Sequence, residues 1–185
     1  SAQGEKVHVH LALDTGMHRL GIPANGRSEI AAMYRLPHLQ ITGTFSHLCV
    51  ADSPAEEDIA YTQHQLDTFY DAVAWMRDSG HPPGRIHVQA SYGIWNLPSQ
   101  PCAYARAGIA LYGVQSDKRP VQRELDLRPV LSLRARVAAV RSLEPGEAAG
   151  YGLVFHACER VKLAVVTIGY GDRIPRDLPQ RGGQV

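Results

Sequence analysis

Between residues 7 and 90 the apolar spacing of the chain alternates between a period of two and a helical period. That alternation limits its fold more than any other feature. Val7-His8-Val9-His10-Leu11-Ala12-Leu13 alternates and reads as a strand. Residues 27–35 carry Ile30, Met33 and Tyr34 at helical spacing, and Pro37 stops them. Residues 39–45 read as a second strand with Gly43 inside it. Ser53-Pro54-Ala55-Glu56-Glu57 is a helix start: Ser53 is placed to cap, Pro54 suits the first turn, and the acids sit near the positive end of the dipole. Ile59, Leu66, Phe69, Val73 and Met76 then keep one apolar face, until Gly80 and Pro82-Pro83-Gly84 end it. Residues 85–90 read as a third strand, and residues 105–112 as containing a fourth. Strands alternating with helices make a parallel α/β unit, and this spacing fits the second half of a (β/α)8 barrel. Chemistry in such a barrel belongs on the loops after the strands' C-terminal ends, here residues 14–19, 46–52 and 91–94.

The texture changes near Asp117-Lys118-Arg119-Pro120. Residues 130–140 and 161–168 are alternating or apolar, Pro145-Gly146 lies between them, and no helix is expected there. Arg181-Gly182-Gly183-Gln184-Val185 resembles a turn into another strand. The expected organisation is α/β: residues 1–117 as the C-terminal half of the barrel, residues 118–185 as the truncated start of a β-rich domain.

Composition removes several function classes. With 185 residues, 44% of them apolar, the chain can bury a core. A charged fraction of 20% and a net charge of +1 leave no electrostatic case for nucleic acid. No run of 18 apolar residues exists to span a membrane. No signal-peptide pattern opens the chain, and Ser1-Ala2-Gln3-Gly4 reads as an arbitrary boundary. Cys49, Cys102 and Cys158 are odd in number and widely spaced, which fits a reducing compartment better than a disulfide framework or a zinc knuckle.

Three local features carry possible chemistry. His8 and His10 share one face of a strand, and with His47 and His87 they make a metal-dependent barrel hydrolase the alternative reading. Histidines simply packed on a strand are the plainer account. Ser91-Tyr92-Gly93 and Gly108-Ile109 have the composition of phosphate-binding turns and equally of ordinary ones. Tyr151 stands between two glycines, a setting in which backbone approaches something closely. No Ser/His/Asp order and no Walker-type loop is present.

Six segments in order resemble the signature segments of alanine racemases, enzymes that use pyridoxal 5′-phosphate (PLP) to interconvert the hands of small amino acids. His10-Leu11-Ala12-Leu13-Asp14-Thr15-Gly16-Met17-His18-Arg19-Leu20-Gly21 is similar to the segment ending Asp-Thr-Gly-Met-Gly-Arg-x-Gly. Gly43-Thr44-Phe45-Ser46-His47 through Ala51-Asp52 follows, then His87-Val88-Gln89-Ala90-Ser91. The remaining three are Tyr104-Ala105-Arg106-Ala107-Gly108-Ile109-Ala110-Leu111-Tyr112-Gly113, Gly150-Tyr151-Gly152 and Ile168-Gly169-Tyr170-Gly171-Asp172. Gln89-Ala90-Ser91-Tyr92-Gly93 and Leu125-Asp126-Leu127-Arg128-Pro129-Val130-Leu131 resemble one branch, the serine/alanine racemases associated with vancomycin resistance. There the racemase is the soluble part of a larger membrane-bound polypeptide.

The resemblance implies roles. Tyr151 would be the second of two acid–base groups flanking the substrate, reaching in from the partner of a homodimer with shared active sites. Arg106 would face the pyridine nitrogen of PLP and keep it unprotonated, since a guanidinium does not readily give up a proton. His47 would lie near the ring and support Arg106. Ser91, Gly108 and Ile109 would hold the phosphate. Arg19 would contact the PLP hydroxyl and the substrate carboxylate, while Asp52, Tyr170 and Arg176 would line the entrance. No metal is implied. The substrate would be alanine, serine or both, the product a D-amino acid for peptidoglycan. The location would be cytoplasmic, tethered to the membrane only through an upstream domain. A racemase for basic amino acids is a further alternative. Ala12 stands where many relatives carry a carbamylated lysine, and Ala90 and Ala107 replace a usual Asn and Pro. His18 and Arg173 replace usual glycines. Lys6, Lys118 and Lys162 are the only lysines, and none lies in the family's PLP-lysine segment, so this chain alone is expected to be inactive.

Overall fold

A computed structural model describes residues 6–116, 119–178 and 181–182. It divides into two compact units, Ser1–Val130 and Leu131–Val185. The expected features at Asp117, Lys118 and residues 183–185 lie outside the described residues.

The first unit runs β1 (Val7–Asp14), β2 (Ile22–Pro23), α1 (Arg27–Met33), β3 (Leu39–Phe45), α2 (Glu56–Asp78), β4 (Arg85–His87) and α3 (Ser91–Asn96). Its sheet has the order β2-β1-β3-β4, and every pair is parallel. The crossover from β1 to β3 carries α1 and that from β3 to β4 carries α2, while β2 follows β1 through the short segment 15–21. Leu66, Phe69, Val73 and Met76 of α2 share one core with Leu11, Leu13, Ile30, Ile86 and Val88. Each such side chain contributes about 1.5–3 kcal/mol on burial. Gly43 is required where it stands: a β-carbon there would lie 2.6 Å from both the His10 ring and the Arg85 carbonyl oxygen. The strands end together at Asp14, Phe45 and His87, so the loops that follow them crowd one edge of the sheet.

Local predictions fail in instructive places. Ser53 does not cap α2. Its hydroxyl accepts the Ala55 N–H at 3.3 Å, a short turn that competes with capping, and Ala55 becomes the N-cap with Pro54 outside the helix. Ile59 is exposed, and the buried face begins at Thr62 and Gln65. The third strand is only Arg85–His87. No fourth strand forms over residues 105–112. A single parallel bridge joins Ala90 to Arg106, and Ile109–Tyr112 is a 3-10 turn. The cause is Ser91, whose side chain takes the Gly108 and Ala110 N–H groups that a strand would give to its neighbour.

The second unit is antiparallel. β5 (Val137–Leu143) pairs with β8 (Val161–Val166), and β6 (Ala148–Ala149) pairs with β7 (Phe155–His156). The strand starts at Val137, not at 130, and two 3-10 turns, Tyr151–Leu153 and Tyr170–Asp172, occur where no helix was expected. The fold class is therefore as expected, a (β/α)-barrel segment followed by a β-rich unit. Among the described residues no helix is long and apolar enough to cross a membrane.

Candidate active site

Arg106 is the hub of the loop edge. It forms the single bridge to Ala90, and its backbone N–H donates to the Gln89 carbonyl at 2.9 Å. Its Nη1 donates to His87 Nδ1 at 2.6 Å and to the His87 carbonyl at 3.1 Å. Its Nη2 donates to the Ser46 carbonyl at 2.7 Å, the Val88 carbonyl at 3.3 Å and His47 Nδ1 at 3.2 Å. The guanidinium also lies over the Phe45 ring, 5.3 Å from its centroid.

Because a guanidinium only donates, it dictates the histidine tautomers. His87 must present a bare Nδ1, so its proton sits on Nε2, which donates to His10 Nδ1 at 2.7 Å. His47 likewise accepts on Nδ1 and carries its proton on Nε2. Burial, then the charge of Arg106, then His10 push the His87 pKa down to about 4. Burial, Arg106 and Arg19 lower that of His47. Burial also lowers that of Arg106, from so high a value that the group stays charged.

A pH dependence follows. The unfolded chain takes up the His87 proton near pH 6.5, the folded chain only near pH 4. Between those values the unfolded state binds more protons, so stability rises with pH. The contribution is complete above pH 6.5 and is lost as pH falls towards 4. Urea unfolding of the protein at pH 7 and pH 4.5 is expected to show a lower midpoint at the acid value, and His87→Asn is expected to shrink that difference. A midpoint unchanged by pH would refute the assignment.

Two cavities meet at this edge. One, of about 280 Å³, is lined by Asp14, Arg19, Phe45, Ser46, His47 and Arg106 among others. The other, of about 360 Å³, includes His47, Asp52, Ser91, Gly108 and Ile109. Met17 and His47 belong to both. Ser91 is buried, and its oxygen accepts from Gly108 N at 2.9 Å and Ala110 N at 3.2 Å, which leaves its own proton free to donate. Asp52 is ion-paired with Arg119.

The loop after β1 is shaped by Asp14, which accepts from Gly16 N at 2.9 Å and His18 N at 3.0 Å. The Gly16 N–H, opposed by burial and aided by His18, holds the Asp14 carboxyl below its ordinary range. A β-carbon at Gly16 would lie 2.4 Å from the Tyr61 hydroxyl. His18 has φ +52 and Arg173 φ +69, the left-handed region. That accounts for glycine at both places in the resembling family, and a side chain there costs about 1–2 kcal/mol. The Asp14–His18 contact, 3.1 Å to Nδ1, offsets part of it.

The structure thus gathers Arg19, His47 and Arg106 at one cavity and Asp52, Ser91, Gly108 and Ile109 at its neighbour. Arg19 makes no hydrogen bond to any other described residue. Tyr151, Tyr170 and Arg176 belong to the second unit. There Tyr151 is 93% exposed, and the Arg176 guanidinium lies 5.5 Å from the Tyr170 ring centroid. The His8–His10 pair does not build a metal centre: His8 is exposed, His10 is engaged with His87, and no group of three potential ligands converges among the described residues. Sequence reasoning missed the His10–His87 link and buried Gln65. Gln65 left one signal, a polar residue inside the apolar stripe of α2.

Comparison with known proteins is unambiguous about family. Residues 1–116 match the model of the alanine racemase N-terminal domain, and residues 130–185 that of the alanine racemase C-terminal domain. An amino-acid racemase of Enterococcus faecalis is 38% identical over 177 residues, covering 95% of this chain and 25% of the relative. A serine/alanine racemase of Enterococcus gallinarum is 39% identical over 173 residues, covering 93% and 25%. An alanine racemase of Citrifermentans bemidjiense is 37% identical over 178 residues, covering 96% and 47%. Among solved structures, alanine racemase from D-cycloserine-producing Streptomyces lavendulae aligns with TM-score 0.81 at 32% identity, covering 95% of this chain and 47% of that one. The chain thus spans about half the length of the alanine racemases it matches and about a quarter of the Enterococcus proteins.

Proposed function

The chain belongs to the alanine racemase family, and on that premise we propose that it forms part of a PLP-dependent racemase acting on alanine, serine or both. The observation that carries this reading is the convergence of Arg106, His47 and Arg19 on one cavity that adjoins the Ser91–Gly108 turn. The donor set fits PLP. A permanently charged guanidinium suits an unprotonated ring nitrogen, and a buried serine hydroxyl with a free proton suits a phosphate oxygen. Gly108 leaves open space beside that hydroxyl, since a β-carbon there would meet only Ser91 Oγ, at 3.7 Å.

When bound, PLP supplies the electron sink that acidifies the α-proton of an amino acid. The protein residues do the rest. Arg106 holds the ring nitrogen without giving it a proton, and His47 and His87 hold Arg106. Ser91, Gly108 and Ile109 anchor the phosphate. Arg19 takes the substrate carboxylate, and Asp52, Tyr170 and Arg176 restrict entry. Tyr151 of a partner subunit moves a proton at the α-carbon on one face, while a lysine outside these 185 residues serves the other face. Residues 1–117 would be the second half of the barrel and residues 118–185 the opening of the β domain. These residues alone would be inactive. The D-amino acids would feed peptidoglycan, and the serine/alanine branch would extend this to vancomycin resistance. Catalysis would take place in the cytoplasm, on a domain tethered through sequence outside this chain.

The test is borohydride reduction of the PLP-loaded intact protein followed by peptide mapping. Fixation on a lysine outside this chain is expected. Fixation on Lys6, Lys118 or Lys162 would overturn the residue assignments, and failure of the protein to take up PLP would overturn the cofactor.

A further inference from the structure

Gln65 is fully buried on the inner face of α2, a face it shares with Thr62 and with apolar Leu66, Phe69, Ala72, Val73 and Met76. An amide in such a place is costly unless its groups are bonded. All of them are. Oε1 accepts the Cys49 N–H at 3.0 Å and lies 3.4 Å from the Cys49 thiol. Nε2 donates to the His47 carbonyl at 3.2 Å and to Thr15 Oγ1 at 3.3 Å. The partners fix the amide's orientation, since a backbone N–H needs the oxygen and a carbonyl needs the nitrogen. Thr15, having accepted, can donate its own proton to Ser46 Oγ at 2.7 Å, and the Ser46 carbonyl receives Arg106. One helical side chain thereby ties the loop after β1, which bears Arg19, to the loop after β3, which bears His47.

We propose that Gln65 is a positioning residue that locks these two loops together and so holds His47 against Arg106 and Arg19. The proposal rests on the reading of this cavity as the cofactor site, and it concerns a side chain that lines neither cavity. His47 is its natural reporter, because burial and the two arginines together hold its pKa down. If the loop slackens, the imidazole leaves both charges and gains water, and its pKa rises.

The experiment follows the His47 imidazole by NMR titration in the intact protein stripped of cofactor, together with thermal unfolding. Gln65→Met keeps the side-chain length and removes every amide bond. It is expected to raise the His47 pKa. Thr15→Val removes one of the partners and is expected to move His47 the same way by less. It decides the matter if Gln65→Met does not fold. Met76→Ala, eleven residues along the same helix and also fully buried, is expected to lower the melting temperature and leave the His47 titration in place. The proposal falls if the Gln65 and Thr15 variants titrate like the unaltered protein. It falls equally if Met76→Ala displaces His47 as far. PLP binding to the unaltered protein is scored separately: its absence sinks the cofactor reading, whereas the titration alone decides Gln65.

Discussion

Replacing Tyr151 by phenylalanine in the intact protein is expected to lower racemisation in at least one direction by about 10²–10⁴-fold. Racemisation takes the α-proton from one face and returns it on the other, so each face needs its own acid–base group. Phenylalanine preserves the ring and deletes the single oxygen that can carry the proton. Tyr151 stands between Gly150 at φ +83 and Gly152 at φ +71, with its ring 93% exposed in its own unit. A side chain so placed supports little of the fold, and the thermal midpoint should scarcely move. That contrast separates proton transfer from structure. Rates from each hand, with solvent deuterium incorporation at the α-carbon, measure it. Full activity in both directions would remove Tyr151 from the mechanism.

The second large effect is expected at Arg106. Arg106→Leu strips the donors from three carbonyls, those of Ser46, His87 and Val88, and from the Nδ1 atoms of His47 and His87. Each unpaired buried acceptor costs about 1–3 kcal/mol, and relaxation of the loops lowers the sum, so a loss of about 2–4 kcal/mol is expected in urea unfolding. PLP binding should fail with it. Arg106→Lys should recover only part, because a compact ammonium cannot reach both histidines and the carbonyls as the planar fork does. A stability loss under about 0.5 kcal/mol, the range of ordinary surface changes, would show that the network is not what holds this edge together.

Much of this was legible in the sequence. The switch of apolar spacing between residues 7 and 78 located β1, α1, β3 and α2 to within a few residues, because strand and helix periods are local properties of the backbone. The placement of Arg19, His47 and Ser91 on the loop edge followed from the same reasoning, since parallel strands deliver their ends to one side, whereas Arg106 falls inside the expected fourth strand and enters the site only through the resemblance. The errors have local causes too. Residues 105–112 have strand composition, yet the Ser91 side chain takes two of their N–H groups and a 3-10 turn results. Ser53 has the chemistry of a cap and spends it on Ala55.

The sequence by itself determined the order and type of the main elements and put Arg19, His47 and Ser91 on the loop edge. Only the tertiary structure decided how those side chains are joined. The Arg106–His87–His10 chain links residues up to 96 positions apart, and it exists because the pairing of β1 with β3 and of β3 with β4 sets His10 beside His87. Gln65, which sequence reasoning passed over, has a role only because the fold places the Thr15 and His47 loops within reach of its amide. Periodicity is a property of neighbours in the chain. A hydrogen-bond partner is a property of neighbours in space, and the register of the sheet chooses it.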